Sequence, residues 1–112
     1  MRIAIPVTDG KLSSHFGHCE QFAIFDTDAD SQKIKGQQWL TPPPHEPGLL
    51  PSWLSEQGVE LVIVGGMGRR AQQLFIQNQI EVIVGAPVDS PEHLISSYLS
   101  KTLQTGKNIC DH

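Results

Sequence analysis

The sequence predicts a single α/β domain, and three observations support this. Residues 2–7, 59–64 and 80–84 are short apolar runs rich in β-branched residues, as is typical of buried strands. Two of these runs lead through a glycine-containing turn into a segment with apolar residues at helical spacing. The chain has 112 residues, which is enough for one domain and too few for two. We therefore expect residues 1–112 to fold as one unit.

The amino-terminal third predicts three strands. The first covers residues 2–7 and is followed by a polar, glycine-containing loop at 8–19. The second, residues 20–26, has an apolar run at its centre and suits a strand buried on both faces. A short turn at 28–31 leads to a weakly alternating, edge-like third strand at 33–40. Because the turn is short, the second and third strands should form an antiparallel hairpin.

The rest of the chain alternates helices with strands. Three consecutive prolines make residues 41–48 a stiff loop. Ser90 as N-cap and Pro91 as the first helical residue mark the start of the last helix. The expected elements are helices at 49–57, 69–79 and 91–100 and strands at 59–64 and 80–84. A polar tail follows at 101–112. It is either frayed or long enough to return from the far edge of the sheet to the carboxyl ends of the strands.

This element order predicts a mixed five-stranded sheet in the order 3-2-1-4-5. Strand–helix–strand units imply parallel neighbours, with helices on both faces of the sheet. The layout is that of a three-layer, ribonuclease H-like fold. Ligands of open α/β sheets bind at the carboxyl ends of the strands where the strand order reverses, here between strands one and four. The loops after strands one, three, four and five should therefore line one crevice.

Composition excludes several classes of protein. The net charge is −4 and no run of Lys or Arg occurs, which argues against binding of nucleic acid. No apolar stretch reaches 18 residues, so no membrane span is expected. The first residues turn polar too early for a signal peptide, which favours the cytoplasm.

A glycine loop between a buried strand and a helix is the first candidate site. Gly65, Gly66 and Gly68 would let a ligand approach the backbone, and the helix that follows presents free N–H groups. Arg69 and Arg70 add positive charge, so the segment suits an anion. Its spacing matches neither the dinucleotide fingerprint nor a P-loop. The alternative is a tight turn with solvated arginines.

Histidines and cysteines cluster twice. His15, His18 and Cys19 lie within five positions, and Cys110 and His112 end the chain. Thiolate with imidazole suits zinc, copper, iron or metal–sulfur species, which makes all five candidate metal ligands. In the alternative reading the histidines are solvated and the C-terminal end is frayed. The two cysteines would also suit a redox-sensitive pair.

Two further histidines and one aspartate occupy positions of interest. His45 in the stiff loop is a candidate member of the site, whereas His93 in a first helical turn is interpreted as a surface residue. Asp9 closes the first strand, where ribonuclease H-like nucleases carry a metal-binding carboxylate. Such an enzyme needs several convergent carboxylates, and strand four ends in Gly65 and Gly66 instead. Nuclease activity is therefore disfavoured.

Five segments in the same order resemble the dinitrogenase iron–molybdenum cofactor biosynthesis family. They are residues 13–17, 22–26, 66–71, 80–85 and 103–108. That family has a ribonuclease H-like fold and includes carriers of cofactor precursors and the orange protein, which holds a molybdenum–copper sulfide cluster. His15, Phe16 and Gly17 match its first motif, and Gly66 and Gly68 match its second.

The resemblance implies non-enzymatic binding or carriage of an anionic metal–sulfur cluster or precursor, of the iron–sulfur, molybdenum–iron or molybdenum–copper type. It also implies cluster donor or acceptor proteins as partners of a monomer or weak homodimer. Two other functions remain open: a structural or sensing zinc or iron site, and an anion- or nucleotide-binding regulatory module. The zinc or iron site would use His18, Cys19, Cys110 and His112, whereas the regulatory module needs only the glycine loop.

Overall fold

The structure is a computed structural model that describes residues 1–13, 19–28, 33–43 and 48–106. Within these ranges the chain forms six strands and three helices. They are β1 (Arg2–Thr8), β2 (Lys11–Leu12), β3 (Gln21–Asp28), β4 (Lys33–Leu40), α1 (Leu49–Glu56), β5 (Leu61–Ile63), α2 (Arg69–Gln77), β6 (Glu81–Ile83) and α3 (Pro91–Leu99). The α/β class expected from the sequence is confirmed.

One mixed sheet runs in the order β4-β3-β1-β5-β6, with the short β2 paired to β1. Strands β3 and β4 form the expected antiparallel hairpin, and β3 is also antiparallel to β1. Strands β5 and β6 run parallel to β1 and to each other. The five longer strands correspond one to one with the five expected strands.

The expected number of strands is wrong by one, because the predicted loop at 8–19 contains a hairpin. Asp9 and Gly10 have φ angles of 54° and 79°, and they reverse the chain so that Thr8 pairs with Lys11. Two consecutive positive φ angles are what a two-residue type I′ turn requires, and Asp-Gly is among its preferred sequences. The expected turn at 28–31 also starts too early, since Asp28 still pairs with Lys33.

Side chains from the sheet alternate between two core clusters, one on each face. Ile3, Phe25 and Ile63 pack with Leu94 and Ile95 of α3, on what we call the α3 face. Phe22, Val62 and Val64 pack with Leu54 of α1 and Phe75 of α2, on the α1/α2 face. This period-two alternation places helices on both sides of the sheet, as expected.

The chain beyond α3 folds back onto the domain. Leu103 packs against the α3-face cluster, and the N–H of Gly106 donates to the carbonyl of Gly85 at 2.7 Å. The tail was expected either to be frayed or to return to the sheet, and as far as residue 106 it returns. No helix in the described ranges is long and apolar enough to cross a membrane.

Candidate functional site

Backbone hydrogen bonds tie together the loops at the carboxyl ends of the central strands. The N–H of Gly85, after β6, donates to the carbonyl of Gly65, after β5, at 3.0 Å. The N–H of Leu12 in β2 donates to the carbonyl of Asp89 at 2.9 Å. The edge at which strand order reverses is therefore built from the loops after β1, β5 and β6, three of the four loops that the sequence predicts there. Residues 44–47 of the fourth, the loop after β4, lie outside the described residues.

The glycine loop has a buried floor and an open end. Gly65, Gly66 and Met67 are buried, and a Cβ on Gly65 would meet Leu12 and the Ala86 carbonyl at 3.6 and 3.7 Å. Gly68 is exposed, and within the described part of the chain no atom lies within 4 Å of where its Cβ would be. The loop thus packs tightly on one side and leaves space on the other.

The start of α2 is not capped by a side chain. Gly68 is the N-cap, with φ −66° and ψ 157°, and no acidic residue lies in the first turn. Gln72 closes the loop onto the helix, because its N–H donates to the Gly68 carbonyl at 3.1 Å and its Nε2 donates to the Met67 carbonyl at 2.9 Å. Arg69 and Arg70 are exposed in the first turn. Cations there oppose the helix dipole, and an anion would relieve the opposition.

Cys19 is the candidate metal ligand that the described residues include. It is half-buried and packs against the α1/α2-face cluster, and no disulfide engages it. Burial raises the pKa of its thiol to about 11. At neutral pH the thiol therefore carries its proton, and a metal that binds it must displace that proton.

Thr8 was not singled out by the sequence, yet its hydroxyl is unusual. The Oγ1 atom is buried and has no hydrogen-bond partner among the described residues. One feature of the sequence could have indicated Thr8 as a site residue. It is a polar, β-branched residue at the end of the first strand, where ligands of this fold class bind. Such hydroxyls are rare, since an unpaired buried hydroxyl costs about 1–3 kcal/mol.

The other predicted site residues lie outside the described residues. They are His15, Phe16, Gly17, His18, His45, Cys110 and His112. In the ranges that are described, no group of three or more His, Cys, Asp or Glu side chains lies close enough to hold a metal ion. The proposed roles of these seven residues in binding a metal or cluster stay predictions.

Two residues set aside by the sequence have structural roles. The exposed ring of His93 pairs through Nδ1 with Asp89, which confirms its position on the surface. That hydrogen bond lowers the pKa of the Asp89 carboxyl. Asp9 occupies the β1–β2 turn, where its N–H donates to Oε1 of Glu20 at 3.0 Å.

Comparison with known proteins identifies the family. The model of the family described as dinitrogenase iron-molybdenum cofactor matches residues 1–101. The chain belongs to this family. The resemblance found in the sequence is therefore confirmed, although its last segment, residues 103–108, lies beyond the matched residues.

The chain is also similar to a further protein sequence and to solved structures. An uncharacterized protein from Methanocaldococcus jannaschii is 32% identical over 87 residues, which are 73% of this chain and 72% of that protein. The crystal structure of the protein PH0822 has a TM-score of 0.86 at 29% identity and covers 94% of both chains. The apo form of the orange protein from Desulfovibrio gigas shares the fold, with a TM-score of 0.71 at 19% identity over 96% of this chain and 93% of that one. The family is linked to biosynthesis of the iron–molybdenum cofactor.

Proposed function

We propose that this protein binds and carries an anionic metal–sulfur cluster, or a precursor of one, and catalyses no reaction itself. The observation that carries the proposal is the open Gly68 at the uncapped start of α2. Membership of a family linked to an iron–molybdenum cofactor favours a metal-containing anion over a nucleotide.

Neither conformation nor packing explains why residue 68 is glycine. Its φ of −66° suits any residue, and the space around a Cβ is open. Ser, Thr, Asp and Asn are among the preferred N-caps because a side-chain oxygen accepts a first-turn N–H, and glycine has no side chain that could do so. A helix start that its N-cap side chain does not occupy, with no described atom near the Gly68 Cβ position, suits an incoming anion.

Two positively charged side chains lie at the start of α2, although the chain as a whole is acidic. Arg69 and Arg70 stand together at the start of α2, against a net charge of −4. Guanidinium groups bind anions through several parallel N–H donors. We therefore assign neutralisation of the cluster to the α2 amides and the two arginines.

Ligation of the metal is assigned to Cys19. A thiolate is the soft donor that iron–sulfur and molybdenum or copper sulfides take. His15 and His18 precede Cys19 in sequence, and they and the terminal Cys110 and His112 remain proposed additional ligands. The identity of the metal is left to the experiment.

A carrier of this kind needs proteins that load it and unload it, so we propose cluster donors and acceptors as its partners. We also propose the cytoplasm as its compartment.

The sheet order and the two helical layers fit the ribonuclease H-like arrangement expected from the sequence. The protein would act as a monomer or weak homodimer.

The test is anaerobic reconstitution. Purified protein is incubated with iron plus sulfide and, separately, with tetrathiomolybdate plus copper, then desalted and analysed for absorption, metal and sulfide. A visible charge-transfer band with retained metal and sulfide is the expected result. Colourless protein with one zinc would instead favour the structural or sensing site, and protein that retains nothing would contradict carriage of either cluster.

Two substitutions separate ligation from charge. Cys19→Ser should alter the chromophore because it removes a metal ligand, whereas Arg69→Ala should weaken binding and leave the shape of the spectrum unchanged. Lys33→Ala is the matched control, since Lys33 is an exposed cation on the outer strand β4. Normal cluster binding by both Cys19→Ser and Arg69→Ala would contradict the proposed ligation and neutralisation of the cluster.

A further inference from the structure

We propose that Thr8 contacts the bound ligand, and that its hydroxyl donates a hydrogen bond to a sulfide or oxygen atom of the anion. The inference rests on the proposed function and narrows the class of ligand to one rich in hydrogen-bond acceptors. It adds a residue that lies outside the cysteine, histidine, glycine and arginine positions assigned above.

The first step is that no described residue of the fold forms a hydrogen bond with this hydroxyl. Thr8 Oγ1 is buried from water and has no partner in the described part of the chain. Thr27 on the neighbouring strand β3 shows how a buried threonine hydroxyl is usually paired, because its Oγ1 donates to the Met1 carbonyl at 3.0 Å. A buried polar group without a partner is destabilising, so its presence calls for a role outside the fold.

The second step is where the hydroxyl lies. Alternation along β1 puts Thr8 on the same side as Ala4, which belongs to the α1/α2-face cluster. Cys19 packs against that same cluster. Thr8 is also the last residue of β1, next to the point where the order reverses towards β5. The hydroxyl, the thiol and the start of α2 therefore belong to one face of one edge.

The third step is chemical. A threonine hydroxyl in this setting has one proton to donate and needs an acceptor. Bridging and terminal sulfides of a metal–sulfur anion, or the oxygens of an oxyanion, accept hydrogen bonds. A bare divalent cation does not. Zinc in proteins takes Cys, His and carboxylate ligands, so a threonine hydroxyl that needs a partner favours a sulfide- or oxygen-rich anion over a simple zinc ion.

The test begins with the stability of the ligand-free protein. Thr8→Val keeps the shape of the side chain and removes the unpaired hydroxyl, so the melting temperature should rise, by about 4 °C or more. Thr27→Val is the matched control, and its melting temperature should fall because a made hydrogen bond is lost. A fall for Thr8→Val as large as that for Thr27→Val would show that the hydroxyl is already paired and would overturn the inference.

The second measurement is binding of tetrathiomolybdate plus copper and of iron plus sulfide. Thr8→Val should bind the anion about tenfold or more weakly, the loss expected for a hydrogen bond to a charged acceptor, and Thr8→Ser should retain binding. A titration with zinc alone should give the same result for Thr8→Val and wild type. Equal cluster binding by wild type and Thr8→Val would overturn this inference alone. A wild type that retains no cluster would overturn the proposed function, and this inference with it.

Discussion

The N–H of Gly106 donates to the carbonyl of Gly85 at 2.7 Å, and this contact holds residue 106 at the edge of the sheet formed by the carboxyl ends of β5 and β6. A Cβ on Gly85 would lie 2.1 Å from the Gly106 carbonyl oxygen, so the two backbones touch. Gly85 in turn donates its N–H to Gly65 of the glycine loop. Cys110 follows only four residues later, a reach of at most about 14 Å of extended chain. Residues 102–106, the described part of the chain beyond the family match, are thereby held beside the glycine loop.

Replacing Gly85 should release this contact. Gly85 has φ 82°, so Gly85→Ala adds left-handed strain to the collision with Gly106. We expect a loss of about 2–4 kcal/mol in the free energy of unfolding, measured with urea, and faster amide exchange at Gly106. Gly10→Ala is the control, because Gly10 has φ 79° but open space around a Cβ, and it should lose only about 1–2 kcal/mol. Equal losses for the two variants would mean that the contact with Gly106 contributes nothing.

Capping α2 with a side chain should oppose ligand binding. In Gly68→Ser the hydroxyl can accept a first-turn N–H, so the ligand-free protein should gain a few tenths of a kcal/mol in stability, roughly the difference between serine and glycine caps. The same hydroxyl occupies the amides and the space proposed for the anion. Cluster uptake should therefore fall while the melting temperature holds or rises. Undiminished uptake by Gly68→Ser would argue that the anion binds elsewhere.

Alkylation of Cys19 should be slow at neutral pH. Burial raises the pKa of its thiol from 9.0 to about 11, and the thiolate is the reactive form. In a Cys110→Ser background, the rate with iodoacetamide should rise about tenfold per pH unit up to that pKa. A plateau near pH 9 would instead indicate an ordinary, solvated thiol.

The same pKa makes a prediction about stability in alkali. Because the folded state holds the Cys19 proton more tightly than the unfolded state, stability from this group is unchanged below about pH 9 and falls as the pH rises from about 9 to about 11. Cys19→Ser should remove that part of the decline. Urea titrations at several pH values between 8 and 11 would measure the difference.

The ion pair between Arg2 and Asp26 should make the fold less stable in acid, whereas Cys19 should make it less stable in alkali. Arg2 Nε donates to Asp26 Oδ1 at 2.7 Å, and Nη1 donates to the Gln57 carbonyl. The hydrogen bond from Arg2 lowers the pKa of the Asp26 carboxyl, so its contribution is present above the unfolded value of about 3.9 and is lost as the pH falls through the folded value. Asp26→Asn should cost about 1 kcal/mol at pH 7, as both groups are partly exposed, and nothing near pH 2. Exposed Glu56, changed to Gln, is the control, and an equal loss for the two variants would refute a specific ion pair.

Local chemistry made most elements predictable. Ser90 accepts the N–H of His93 and Pro91 begins α3, as the capping pattern indicates. The buried strand β3 and the hairpin with β4 follow from an apolar run next to a short turn. The Asp9-Gly10 turn is equally local, but the polar residues around it favour a loop over a hairpin in the sequence.

The sequence alone determined the class of fold and the family, and it predicts that the glycine loop and Cys19 lie at one edge of the sheet. These depend on periodicity and on motifs in a fixed order, which neighbouring residues encode. Only the tertiary structure decided that, among the residues it describes, the Thr8 hydroxyl has no partner and Gly68 has no atom near its Cβ position, and that Gly106 returns to Gly85. Burial, hydrogen-bond partners and close backbone contacts arise between segments far apart in the chain, and no local pattern of residues encodes them.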